Sequence, residues 1–185
     1  MHALETLISK SQKFDFAFSV AKIDSRVLIF ANEAFCELTG YSSNEIVGKN
    51  CKFLQVPETS EASISAMRSA FKAHRATFQE LVNYRKDGDK FINRLILLPL
   101  IQNGEEFILG FQNEVNLYDA DPTKMLSLEM IHLSDADINH YINNPLTIAV
   151  HAIETNNEEK FCSAIGRIRD FVLAIEDPDT FPKVY

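Results

Sequence analysis

The side chains best equipped for chemistry are three thiols, Cys36, Cys51 and Cys162, together with the histidines His132, His140 and His151 of the C-terminal third. Three is an odd number, the spacing is not that of a zinc site, and nothing resembles a disulfide framework. A reducing compartment is the simplest setting for such thiols. The three histidines form no clean i, i+4 pair, so no metal site is expected. A lone cysteine is most often a small buried apolar residue, and only its surroundings can argue otherwise. Cys36 lies in Phe35-Cys36-Glu37-Leu38, Cys162 flanks the apolar stripe of the last helical stretch, and both are expected to be structural. Cys51 stands in Gly48-Lys49-Asn50-Cys51-Lys52-Phe53-Leu54-Gln55, with no candidate general base near it. Three amides, Asn83, Asn93 and Gln112, sit in strand-like runs further on. An Asn or Gln carries donors and an acceptor in one group, and two Asn on neighbouring inward-facing strand positions are costly to bury unless something pairs with them.

The elements that position these residues follow from periodicity and turn chemistry. Residues 3–13 read as a short amphipathic cap helix with Leu4, Leu7 and Ile8 on one side. Phe14 to Ile23 and Val27 to Ala31 are strand-like, with Asp24-Ser25-Arg26 as the turn. Glu33 to Leu38 is a helical stretch capped by Gly40, and Ser42 with Glu45 forms a capping box opening another through Val47. After Pro57 a longer helix is expected to reach about His74, with Ile64, Met67, Phe71 and His74 on its apolar face. Three strands follow, Thr77–Arg85, Lys90–Leu100 and Glu106–Val115, separated by the hairpin dipeptides Asp87-Gly88 and Asn103-Gly104. Residues 14–115 are thus expected to fold as an α+β domain, a five-stranded antiparallel sheet with helices on one face. Residues 116–185 lack strand signals and predict a C-terminal α-helical hairpin. Its first helix is capped at Asp121-Pro122 and runs to about Glu154, and its second runs from about Glu158 to Glu176. Heptad-like stripes mark both: Ile138, Ile142, Pro145, Ala149 and Ala152 or Ile153 in the first, and Phe161, Ile165, Ile168, Val172 and Ile175 in the second. Such stripes want partner helices, so a homodimer through a four-helix bundle is expected.

Composition bounds the function. The chain has 185 residues, 46% hydrophobic and 24% charged, which is globular and not disordered. A net charge of −8 and the lack of a basic stripe argue against nucleic acid or an anionic membrane surface as partners. No basic-then-apolar leader opens the chain and no apolar run is long enough to span a bilayer, so a soluble cytoplasmic protein is expected.

The run Gly48–Gln55 closely resembles the signature octapeptide of light-oxygen-voltage (LOV) domains of the PAS superfamily, usually G-R-N-C-R-F-L-Q; six positions agree and the other two carry Lys for Arg. Asn83 in Leu81-Val82-Asn83-Tyr84, Asn93 in Phe91-Ile92-Asn93 and Gln112 in Leu109-Gly110-Phe111-Gln112 match the family's flavin-contacting positions in order, and Ala34-Phe35, Leu38 and Thr39-Gly40-Tyr41 match the helix before the signature. The resemblance covers residues 14–115. It implies an FMN chromophore held by Asn50, Lys52, Gln55, Arg68, Asn83, Asn93, Leu97 and Gln112. It implies that blue light drives a reversible bond between the Cys51 sulfur and flavin C4a, and that Gln112 switches its hydrogen bond at N5. Lys52 and Arg68 would clamp the phosphate, with Lys52 the weaker for being a point charge and not a planar fork.

Ile138-Asn139-His140-Tyr141-Ile142-Asn143-Asn144-Pro145-Leu146-Thr147 in turn resembles the phosphoacceptor box of sensor histidine kinases, often H-E-I-N-N-P-L-T, with His140 at the phosphoacceptor position. Tyr141 stands where that box has its acidic base, and no ATP-binding domain follows before Tyr185. The expectation is therefore a photosensory signalling protein that is not itself an enzyme. One alternative is a light-gated phosphotransfer or docking component that uses His140 with a histidine kinase or response regulator. A second is a flavin redox sensor in which Cys51 is incidental.

Overall fold

The computed structural model describes residues 3–57, 59–115, 144–155 and 157–174. Its contacts divide the chain into two compact units, Met1–Glu114 and Val115–Tyr185.

In the first unit α1 (Ala3–Ser11) precedes β1 (Ala17–Lys22) and β2 (Leu28–Ala31), then α2 (Glu33–Thr39), α3 (Ser43–Ile46), a 3₁₀ turn over Cys51–Leu54 and α4 (Glu61–Lys72), and finally β3 (Thr77–Tyr84), β4 (Lys90–Gln102) and β5 (Glu105–Val115). The five strands form one sheet in the order β2-β1-β5-β4-β3. The pairs β1–β2, β1–β5 and β3–β4 are antiparallel. The last strand therefore sits at the centre of the sheet beside the first, with Gln112 opposite Ala17 and Gly110 opposite Ser19. Helix α2 packs on β1, α3 on β2 and α4 on β3.

Local chemistry explains the short elements. Asn32 caps α2 by accepting from Phe35 N at 3.0 Å, and Gly40, at φ 75°, closes the helix in the left-handed region. Glu45 accepts from Ser42 N at 2.9 Å, one half of the capping box that opens α3. Asn103 and Gly104, at φ 53° and 77°, are both left-handed, the type I′ geometry that lets β4 turn directly into β5. The long helix differs from expectation at its end. His74 is off the helix at φ 48° and exposed, and its ring lies 3.9 Å from Glu106. The apolar repeat stops at Phe71 because the backbone reverses there: Arg75 N donates to Ala70 O at 2.9 Å and His74 N to Phe71 O at 3.1 Å, the paired closure of a Schellman motif around a left-handed residue.

Two apolar clusters among the described residues border the site. One joins β1 and β2 to α2 and α3 through Ala21, Leu28, Phe35, Ile46 and Leu54, with Cys51 packed on its border. The other joins α4 to the inner face of the sheet through Met67, Phe71, Leu81, Leu95 and Ile108. The space between the clusters holds the site.

In the second unit α5 (Asn144–Glu154) and α6 (Glu158–Ala174) pack on each other, burying Ala149 and Ala152 of one and Ala164, Ile165 and Ile168 of the other. His140, the cap at Asp121-Pro122, and the stripe residues Ile138, Ile142 and Ile175 lie outside the described residues, as do the side chains of Phe161, Cys162 and Val172. No helix among the described residues is long and apolar enough to cross a membrane.

Candidate functional site

The segment carrying Cys51 is fixed by its own asparagine. Asn50 accepts from Lys52 N at 3.1 Å, capping the 3₁₀ turn, while its Nδ2 donates to Ser25 O at 3.1 Å. Backbone bonds stitch the same run to β2, from Leu28 N to Lys49 O at 2.9 Å and from Gly48 N to Leu28 O at 2.8 Å. Cys51 opens the turn and faces a cavity of about 350 Å³. Burial pushes its thiol up to about 12, so at neutral pH the sulfur keeps its proton.

The cavity lies between the sheet and α4, within the usual size range of small-molecule sites. Alternate residues of four strands line its floor: Ser19 and Ala21, Leu81 and Asn83, Asn93, Leu95 and Leu97, and Ile108, Gly110 and Gln112. That alternation is the two-residue period of a pleated strand. Ile64, Met67, Arg68 and Phe71 from α4 form one wall, and Cys51, Lys52, Leu54 and Gln55 another.

Within this apolar chamber the amides form a chain. Asn93 Nδ2 donates to Asn83 Oδ1 at 3.0 Å and to Gln112 Oε1 at 3.3 Å, Gln112 Nε2 donates to Ser19 Oγ at 3.1 Å, and Asn83 Nδ2 reaches Val82 O at 3.0 Å. The chain is incomplete at one atom. Asn93 is 1% exposed, and its Oδ1 has no hydrogen-bond partner. A buried acceptor left unpaired costs about 1–3 kcal/mol, which argues that a donor from outside the protein belongs there.

Three cations, Arg26, Lys52 and Arg68, border the cavity, and no carboxylate does so among the described residues. Every candidate residue of the first unit lines this one cavity: Asn50, Cys51, Lys52, Gln55, Arg68, Asn83, Asn93, Leu97 and Gln112. His140 lies outside the described residues. Sequence reasoning did not single out Ser19, Gly110 or Arg26. Ser19 had a weak signal, as the one hydroxyl in the run Phe16-Ala17-Phe18-Ser19-Val20-Ala21. Arg26, left-handed at φ 56° in the β1–β2 turn, had none, because its place at the cavity depends on the tertiary link from Ser25 to Asn50.

A PAS domain profile matches residues 15–116. The chain is 32% identical over 136 residues to a blue-light-activated histidine kinase of Rhizobium johnstonii, covering 71% of this chain and 38% of the relative. It is 33% identical over 171 residues to a blue-light-activated histidine kinase of Brucella anthropi, covering 88% of this chain and 34% of that protein. The LOV domain of a blue-light-activated histidine kinase from Erythrobacter litoralis superposes with a TM-score of 0.53 at 32% identity, over 56% of this chain and 99% of that domain. The chain thus spans little more than a third of the two kinases it matches. This corrects the expectation of a protein without enzymatic function. That expectation rested on the lack of an ATP-binding domain before Tyr185, whereas the relatives are enzymes by name and extend well beyond the matched region. With the PAS profile spanning more than half of it and a LOV domain matched almost end to end, the chain belongs to the LOV group of the PAS domain family.

Proposed function

We propose that this chain is a blue-light photoreceptor that binds a flavin, FMN by preference, in the cavity between α4 and the sheet. The observation that carries the reading is a partly buried thiol and an incomplete amide chain facing one apolar cavity. The residues fit a flavin. Its ring needs apolar walls, its pyrimidine edge offers an N–H donor that the unpaired Asn93 Oδ1 lacks, and a phosphate suits the cationic lining of Arg26, Lys52 and Arg68. Asn83 and Asn93 would read the pyrimidine edge, Gln55 and Asn50 the ribityl chain, and Leu97 would pack on the ring.

Bound there, the flavin supplies absorption of blue light and an excited ring able to take a thiol at C4a with a proton at N5. Cys51 brings both parts of that thiol. Burial keeps sulfur and proton together, so one residue delivers the electron pair and the proton, and no general base is needed. Gln112 offers N5 an amide that can donate from Nε2 or accept at Oε1 by turning end for end. It lies three residues before Val115, the end of β5, where the chain leaves the domain. Turning there delivers the change to the connection with the C-terminal helices, which we assign to dimerisation and signalling. The match to the Brucella anthropi kinase covers 88% of this chain and so extends past the PAS region. It supports a tail that engages histidine-kinase chemistry, within a longer polypeptide or through a partner, with His140 as the residue to label.

The test is the absorption spectrum of the chain loaded with FMN in darkness and after a blue flash. A structured band that bleaches and recovers, and that stays unbleached in Cys51→Ala, is the expected result. A flavin band that responds to reductant but not to light would instead support redox sensing.

A further inference from the structure

Ser19 belongs neither to the signature run nor to the amide series, yet its hydroxyl ends the polar chain in the cavity. It is 5% exposed on β1, directly opposite Gly110 on β5, and accepts from Gln112 Nε2 at 3.1 Å. The pair is built around bare backbone: a Cβ on Gly110 would stand 2.7 Å from Ser19 Oγ and 3.4 Å from Gln112 Nε2. The central strand thus leaves a slot that the hydroxyl and the amide share. The NH₂ group has two hydrogens, so one can bond Ser19 while the other faces the cavity. A hydroxyl both accepts and donates, and it reverses its role by rotating one O–H bond. No other residue in the run from Ala17 to Lys22 that faces the cavity has this property, since the next one along is Ala21.

The geometry points to Ser19 as the positioning residue for Gln112. It accepts from the amide N–H in the dark state and donates to the amide oxygen once the amide has turned. Gln112 then keeps Ser19 as a partner in both orientations, but to pass between them it must break the Ser19 bond and give up the bond in which its Oε1 accepts from Asn93 Nδ2. The bond is therefore a barrier to resetting as well as a tether to β1. This inference rests on the reading of Gln112 as the residue facing flavin N5. Ser19→Ala removes the barrier, and Ser19→Thr keeps the hydroxyl.

The experiment uses the full chain loaded with FMN and labelled with ¹⁵N, with the Gln112 side-chain NH₂ signals identified by their loss in Gln112→Leu. In darkness Ser19→Ala should move those signals, and Ser19→Thr should leave them near their original positions. After a flash, thermal recovery should be roughly fivefold faster in Ser19→Ala, the effect of one hydrogen bond of ordinary strength, and close to the unaltered rate in Ser19→Thr. Unmoved signals with an unchanged recovery in Ser19→Ala, or a threonine that behaves like alanine, would overturn the inference. If the unaltered chain did not respond to light, the photoreceptor reading would fall. The dark signals would still decide whether Ser19 holds Gln112.

Discussion

At Cys51, which is partly buried as a residue, the loss of water around the sulfur keeps the thiol protonated, and this has a signed consequence for pH. The folded state holds the proton more tightly than an ordinary cysteine does, with a value pushed up to about 12 from 9.0. That contribution to stability is intact below about pH 9 and is lost as pH rises from there towards 12. Comparison of thermal midpoints should therefore show a steeper fall above pH 9 in the unaltered chain than in Cys51→Ala. The light response should be flat between pH 6 and 9 on the same grounds, taking roughly that window from the ordinary cysteine value; a response that grew with pH would mean that thiolate is the reactant. The cations make a second residue-scale prediction. Replacing Lys52 by Arg should tighten FMN and leave riboflavin unchanged, and Arg68→Ala should weaken FMN by roughly tenfold with little effect on riboflavin, as titrations of flavin fluorescence would show. Cys51, the three amides and Lys52 were legible in the sequence because their types are informative at fixed spacing. Ser19 and Arg26 were not, because a serine in a strand and an arginine in a turn have no chemistry until the fold sets a cavity beside them.

Among the elements, β1 and α2 depend on a residue that does not line the cavity. Asn32 is 0% exposed and uses its whole amide: Oδ1 accepts from Phe18 N at 2.9 Å and Phe35 N at 3.0 Å, and Nδ2 donates to Phe16 O at 2.9 Å and Ser11 O at 3.1 Å. One side chain thereby ties the end of α1, the start of β1 and the cap of α2 together. Asn32→Ala loses a cap and strands buried backbone groups, and should cost about 3 kcal/mol in urea unfolding. A loss below about 1 kcal/mol would show that those groups find other partners. The hairpins were legible because Asn-Gly and Asp-Gly supply the left-handed residues of a turn locally, both residues at Asn103-Gly104 and the glycine alone at Asp87-Gly88. The end of α4 was not, because the apolar repeat Ile64, Met67 and Phe71 can be extended on paper to His74, whereas the chain ends the helix by a backbone reversal that any residue tolerating φ near 48° can supply. The 3₁₀ turn at Cys51 was equally hidden, since it depends on Asn50 bonding backward to Ser25 and forward to Lys52.

For the whole molecule, β5 lies at the centre of the sheet and is the last strand of its unit, so the residues it brings to the cavity are close in sequence to the start of the second unit. The strand that carries Gly110 and Gln112 into the cavity ends at Val115. Gln112→Leu should therefore keep the flavin bleach yet weaken any light-dependent change in the C-terminal helices, read by helical circular dichroism or by the sedimentation of lit and dark samples. An undiminished response in that variant would remove this route. The sequence alone misjudged how far the protein's role extends, because the end of a chain carries no information about relatives that continue past it. If light is captured by chemistry at the protonated Cys51 thiol, infrared difference spectroscopy of its S–H stretch will follow the bond that breaks. In FMN-loaded protein a Cys51 S–H band should be present in darkness, disappear on illumination and return with the flavin absorbance. A flavin that bleaches while that band persists, or a dark state with no S–H band at all, would contradict it.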